Sequence, residues 1–451
     1  MNPAWRGRAT IALLLGALLP AAAGCAPHLA IYPRVEALAA SGQYAQAAQF
    51  VESKKEEYSE RNAVLFYMDR GTLLHYAGDY EASNRAFEEA ERRIDELYTE
   101  SISGHVGAFI VNDNTLPYRG EDFESVVINI YRALNYAQLG SVQDALVEAR
   151  KVDQKLDFIN RQYDADKKNV YKEDAFARLL MGIFYEMNNT RQDLNDAYIS
   201  NRLAWSIYRQ SFAPTYGTSA PELLGANLLT TAALMGPDEL TQARAQGAAQ
   251  PLVPYADKRA QGQVVFVHFA GRSPVKVESS ITAYMPDGNL FRIAFPAYRA
   301  RGYLIAGAQI RVDGSLAARL EEGQPTGAIA IKNLEDRKGR IAAKAIARAT
   351  TKYLANLALQ RQARERGGEG AGLLAYLAGN VFTVATEQAD LRAWQTLPDR
   401  ILVGRVLLTP GPHELTVEFT TSGGGVVSTR VLGTLHAAPG STRFVILHSN
   451  T

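Results

Sequence analysis

Along the first half of the chain, apolar and polar residues recur with a helical period that breaks at regular points on a glycine. Residues 38–47, 74–83 and 136–145 each read as the end of one helix, a turn at Gly42, Gly78 or Gly140, and the start of a second helix. Glycine suits these stops because it accepts the left-handed C-cap geometry cheaply. Five positions after each glycine stands a small residue, Ala47, Ser83 or Ala145, where two helices would cross too closely for a larger side chain. The helical pattern fades after Leu229, and residues 250–254 read as a linker. From Gln263 the period changes to two. Residues 264–269 and 280–284 are strand-like, with a turn over 286–289; residues 302–312 and 328–331 continue the theme, and 401–408, 414–419, 426–432 and 443–447 add four more strands. Between the two groups lies a helical block, residues 334–365 and 373–389, joined through the glycine-rich stretch 367–372, which reads as a flexible joint. The fold class expected is α+β and multidomain: a helical unit over 25–250, then a mainly antiparallel, sandwich-like β domain over 260–451 with a helical insertion at about 334–389.

The helical half resembles the tetratricopeptide (TPR) repeat, a helix–turn–helix unit of about 34 residues. The residues that carry the likeness are Gly71, Gly78, Asp79, Tyr80, Ser83, Phe87 and Ala90 in one copy, and Ala133, Tyr136, Gly140, Ala145 and Ala149 in the next. A further copy runs from Gly182 and Tyr185 through Ala197 and Ala204, with a longer turn at Asn188 and Asn189. The consensus tryptophan and terminal proline are absent throughout. Turn glycines lie 36 residues apart from Gly42 to Gly78 but 62 apart from Gly78 to Gly140. The excess falls in residues 101–122. In a solenoid such insertions loop out on one face, often the binding face, which makes Tyr118, Arg119, Glu121 and Asp122, with Tyr136 in the adjoining groove, the candidate partner contacts. The alternative is that Asp122 caps the next helix and the loop only covers a gap.

Charge and cysteine usage narrow the classes. Lys and Arg number 48 against 47 Asp and Glu, and a near-neutral chain lacks the basic stripe that nucleic acid demands. The single cysteine, Cys25, follows Arg6 and Arg8, an apolar run over 11–19 and the small residues 21–24. This arrangement resembles the signal peptide and lipobox of bacterial lipoproteins, departing from it in having Ala22 three residues before the cysteine. The resemblance implies that residues 1–24 are removed, that Cys25 carries the lipid, and, with Ala26 next, that the protein sits on the outer membrane facing the periplasm. Ordinary cleavage to a soluble secreted protein is the alternative. Residues 371–386 are too short for a span of about 20 residues and read as a buried helix.

The long helix over 341–366 carries Arg340, Lys344, Arg348, Lys352, Arg361, Arg364 and Arg366, read as a solvated face, with Ile341, Ala345, Leu354 and Leu357 turned to a core; anionic lipid or glycan phosphate is the alternative partner for the charges. Seven histidines are scattered without metal-ligand spacing, and neither a GxSxG elbow nor a Walker loop occurs. No cofactor, metal or catalytic residue is therefore assigned. The layout also resembles a poorly characterised class of bacterial lipoproteins with TPR-like repeats and a C-terminal β domain, through residues 118–124, 133–136, 147–150 and 390–398. The expected role is a scaffold recruiting periplasmic or envelope proteins. The alternative is a lipoprotein that binds peptidoglycan or polysaccharide through exposed aromatics such as Trp394 and Tyr298, although Trp394 also suits a core anchor.

Overall fold

The computed structural model describes residues 28–100, 113–161 and 171–450. Cys25, the segment 1–24 and residues 101–112 of the insertion lie outside the described residues. The protein is α+β, with helices gathered in the N-terminal half and sheets in the C-terminal part.

Helices pair in antiparallel hairpins: α1 (Tyr32–Ala40) with α2 (Tyr44–Ser53), α3 (Ala63–Ala77) with α4 (Tyr80–Glu100), α5 (Asp122–Gln138) with α6 (Val142–Arg161), and α7 (Ala175–Asn188) with α8 (Arg191–Ile207). Gly78 ends α3 at φ 83°, ψ 5°, and Gly42 and Gly140 take similar positive φ. In the α7–α8 turn the same left-handed step is made by Asn189 at φ 59°, since asparagine is the side chain that tolerates it best. Close crossings fall at the small positions. A Cβ on Gly71 would lie 2.7 Å from the Phe87 ring, and one on Gly182 would lie 2.3 Å from Asn201. Ala145 is fully buried.

The helices continue beyond Leu229, through α9 (Glu222–Met235) and α10 (Pro237–Ala245). Pro237 opens α10 at a position where its missing N–H costs nothing.

Strand β1 (Gly262–Ala270) leads into a hairpin of β2 (Val275–Tyr284) and β3 (Leu290–Arg299), followed by β4 (Gly307–Val312), β5 (Ser315–Arg319) and β6 (Glu321–Gln324). A long helical segment, α11 (Thr326–Thr386), precedes β7 (Arg400–Leu408), β8 (Gly411–Thr420), β9 (Val426–Ala437) and β10 (Thr442–Ser449). One four-stranded sheet is mixed, in the order β10-β1-β7-β6 with β10 parallel to β1; the other is antiparallel, β5-β4-β8-β9. Val264 and Phe266 of β1 pack with Ile310 and Val417 of the antiparallel sheet. Their alternating neighbours Val265, Val267 and Phe269 pack instead into the helical core. The mixed sheet is thus covered on both faces, which is why β1 reads as a nearly continuous apolar run.

Residues 328–331 are helical, not a strand: they belong to the first turns of α11 behind Pro325. A four-residue apolar run cannot be assigned by period alone, and burial of Ile329 and Ala330 suits either state. The glycine-rich stretch is not a linker. Gly368 alone leaves helical geometry, at φ 73°, ψ −172°, and the chain folds back as a helix hairpin. Asn356 Nδ2 donates to the Gly379 carbonyl and to Thr383 Oγ1, each at 3.0 Å, across that hairpin.

Candidate functional site

Residues 118–124 form a buried polar clasp. Tyr118 N–H donates to the Arg61 carbonyl at 2.7 Å, and Gly120 at φ 80° turns the chain into α5. Glu121, not Asp122, is the N-cap; Asp122 is already the first helical residue. Glu124 accepts from Glu121 N–H at 2.9 Å, from the Tyr118 hydroxyl at 2.6 Å and from Trp394 N–H at 2.7 Å. Glu121 itself is held between Lys276 of β2 and Arg337 of α11, and Lys276 also donates to the Arg392 carbonyl at 2.8 Å. Arg392 pairs with Asp390 at 2.7 Å and lies over the Tyr118 ring.

The two carboxylates titrate apart. Burial opposes the charge on Glu121, but Arg337 and Lys276 outweigh it and hold this carboxyl well below the usual range. Burial, reinforced by the charge on Glu121, pushes Glu124 up to about 7. The two stretches singled out in the sequence, 118–124 and 390–398, therefore meet in space. Trp394 is buried, with its indole N–H donating to Thr72 Oγ1 at 3.0 Å.

For Tyr118, Glu121 and Asp122 this geometry corrects the expectation of an exposed contact. Tyr118, Glu121 and Asp122 are only 5, 9 and 5% exposed; what they contact is the rest of the same chain. Arg119 alone is exposed, stacked on Tyr98. Tyr136 is half-buried against the helical core. Tyr298 is also half-buried.

The exposed surface with chemical character lies on α11, an arm rooted in the clasp and packed along the β2–β3 hairpin, where Tyr376 donates to the Gly288 carbonyl at 2.9 Å and Asn380 accepts from Leu290 N–H at 2.8 Å. Its interior is polar. Glu387, fully buried, accepts from Lys352 Nζ at 2.9 Å and from Arg348 Nε at 3.2 Å. Its exterior is apolar: Ile346, Leu354 and Leu359 on the first helix and Leu373, Leu374, Leu377, Val381 and Val384 on the second are 40–61% exposed. Among residues 345–360 the only charges are Arg348 and Lys352, and residues 370–386 carry none. The expectation for this helix is thus corrected. Leu354 faces solvent, while Arg348 and Lys352 face inward and Lys344, Arg361, Arg364 and Arg366 remain outside. Residues 371–386, expected to be buried, present an apolar stripe to solvent. The reason is Glu387: once the fold-back carries that carboxylate inside, the cations follow it and the leucines are left outward. Leu374, Leu377, Val381 and Val384 are spaced three, four and three residues apart, the repeat of a coiled-coil seam.

Elsewhere the strongly shifted groups are structural. Burial lowers His75 and His268 to about 3, and Asp69, raised by burial to about 6, accepts from the hydroxyls of Tyr32, Tyr58 and Thr396. Among the described residues no group of three His, Cys, Asp or Glu side chains could hold a metal ion, and no helix is long and apolar enough to cross a membrane. No protein-family model matches the chain, and no curated protein matches it in sequence.

Sequence reading missed Lys276, Arg337 and Glu387 because their partners lie far away along the chain. A signal for the arm was present nonetheless. Seventeen consecutive residues without charge, 370–386, beside cations at four-residue steps mark a hairpin with its polarity turned inward.

Proposed function

We propose that the protein is an outer-membrane lipoprotein, anchored through Cys25 and facing the periplasm, that serves as a protein-interaction scaffold without chemistry of its own. In this reading the helix hairpins stack as a divergent TPR-like solenoid, and the α11 arm is the principal contact surface. The observation that carries it is the bare outer face of the arm. The eight large apolar side chains there present on the order of 800 Å², about one partner's share of a standard interface and more than the ~300–600 Å² patch of an ordinary monomer. The three-four-three spacing suits an apolar partner helix laid along the seam. The glycan-binding alternative loses its aromatic platform, since Trp394 is buried.

The test is in-cell crosslinking. Replacing Leu374, Leu377 and Val381 by serine should remove specific crosslinked bands while membrane fractionation stays normal. Retention of every band would dismiss the arm as the contact. Separately, Cys25→Ser should abolish lipid labelling and release the protein into the soluble periplasmic fraction; unchanged mass and fractionation would dismiss the anchor.

A further inference from the structure

Arg337, Arg340, Lys344, Arg348 and Lys352 follow one another at steps of three, four, four and four residues, which stacks five cations along one face of the first arm helix. The first four face the segment that leads into α5, across a cleft of about 520 Å³ at the root of the arm. Among the described residues its walls carry seven basic side chains against three acidic ones.

The few carboxylates are shared. Glu121 serves both Lys276 and Arg337, and Asp113 serves Lys344 at 2.5 Å and Arg348 at 3.6 Å. The second of these distances is too long for a hydrogen bond. Arg348 Nη1 is buried without an acceptor, on a side chain only 3% exposed. A guanidinium buried with an unused donor is costly unless something supplies the acceptor. At the rim, Arg119 is exposed and held over Tyr98.

A concave site with one sign of charge in excess focuses its field on ions of the other sign, and guanidinium groups match the paired acceptors of phosphate and carboxylate. We infer that this cleft binds an oxyanion ligand carrying two or more linked phosphate or carboxylate groups, with Arg348, Lys344 and Arg340 as its contacts and Arg119 at the mouth. Side chains one helical turn apart leave the helix about 5–6 Å from each other at Cβ, so linked oxyanions can engage several of these cations where a single one engages fewer. The inference rests on the arm's root and is independent of what its outer face contacts.

The test uses the full lipidated chain in neutral detergent at low salt, with inorganic tripolyphosphate and citrate as probes, followed by thermal shift and calorimetric titration. Saturable binding of at least one probe is expected, weakening steeply with salt. Arg340→Gln with Lys344→Gln, both outside the buried Glu387 cluster, should weaken it by about tenfold or more. Arg348→Lys, which keeps the charge and removes the fork, should weaken it by a smaller factor. The control Arg361→Gln with Arg364→Gln, near the arm's tip, should leave it unchanged. Competition by phosphatidylglycerol micelles would identify a lipid headgroup as the source of the anion, and absence of competition a soluble ligand. No saturable binding of either probe, or equal losses in the root and tip variants, would overturn the proposal.

Discussion

Strand β1 and the α11 arm are both rich in apolar residues, yet the protein treats them in opposite ways. Both faces of β1 are covered, one by the antiparallel sheet and one by the helices. The arm keeps Arg348, Lys352 and Glu387 inside and leaves most of its leucines and valines in water. Apolar burial is worth roughly 25 cal/mol per Å², so a chain that leaves such a stripe bare while enclosing cations has another use for the stripe. Mutations sharpen this contrast, because interior positions must be expensive to change and the outer ones cheap.

The largest effect should come from the clasp that roots the arm. Glu121→Ala removes the buried carboxylate that Lys276 and Arg337 share, and breaking a buried pair in this way costs about 3–5 kcal/mol. Chemical denaturation should show the loss directly. A cost below about 1 kcal/mol would mean that the joint is open to water.

Glu124→Gln should have an intermediate effect with a distinct pH signature. Its amide must face a backbone N–H where the carboxylate accepted one, a penalty of about 1–3 kcal/mol. In the native protein the carboxyl holds its proton up to about 7, whereas the unfolded chain releases it near 4.5. The folded state therefore binds more protons between those values, and this contribution to stability is present below 4.5 and lost as the pH rises through 7. Glutamine cannot titrate, so the gap between native and variant stability should narrow from pH 5 to pH 8. Parallel urea titrations at the two pH values would read it.

The smallest effect on stability belongs to the outer face. Leu374→Ser with Leu377→Ser should change unfolding free energy by less than about 0.5 kcal/mol per site, the usual range for exposed positions. A large loss would show that these leucines are interior after all.

Legibility in the sequence followed the range of the interactions. Turns at Gly42, Gly78 and Gly140 were readable because they are decided by a few neighbouring residues, and β1 because covering both faces removes polar residues from the strand. The Glu121 ion pairs were not, since Lys276 and Arg337 lie 155 and 216 positions further on. An amphipathic period distinguishes two faces of a helix without saying which one meets solvent. For α11 that choice was made by Glu387, at the far end of the hairpin.

The parallel pairing of β10 with β1 has a consequence for the order of assembly. Gln263 pairs with Thr442, and Phe444, packed against Phe184, belongs to the helical core. His448 Nε2 donates to the Tyr76 carbonyl at 2.8 Å. Strand β10 thus closes both the mixed sheet and the seam beneath the helices, so neither is complete until residues 442–449 are in place. Non-local closure of this kind is slow and leaves apolar surface open in the meantime. Until residues 442–449 dock, one edge of β1 lacks its partner strand and Phe184 lacks the ring of Phe444.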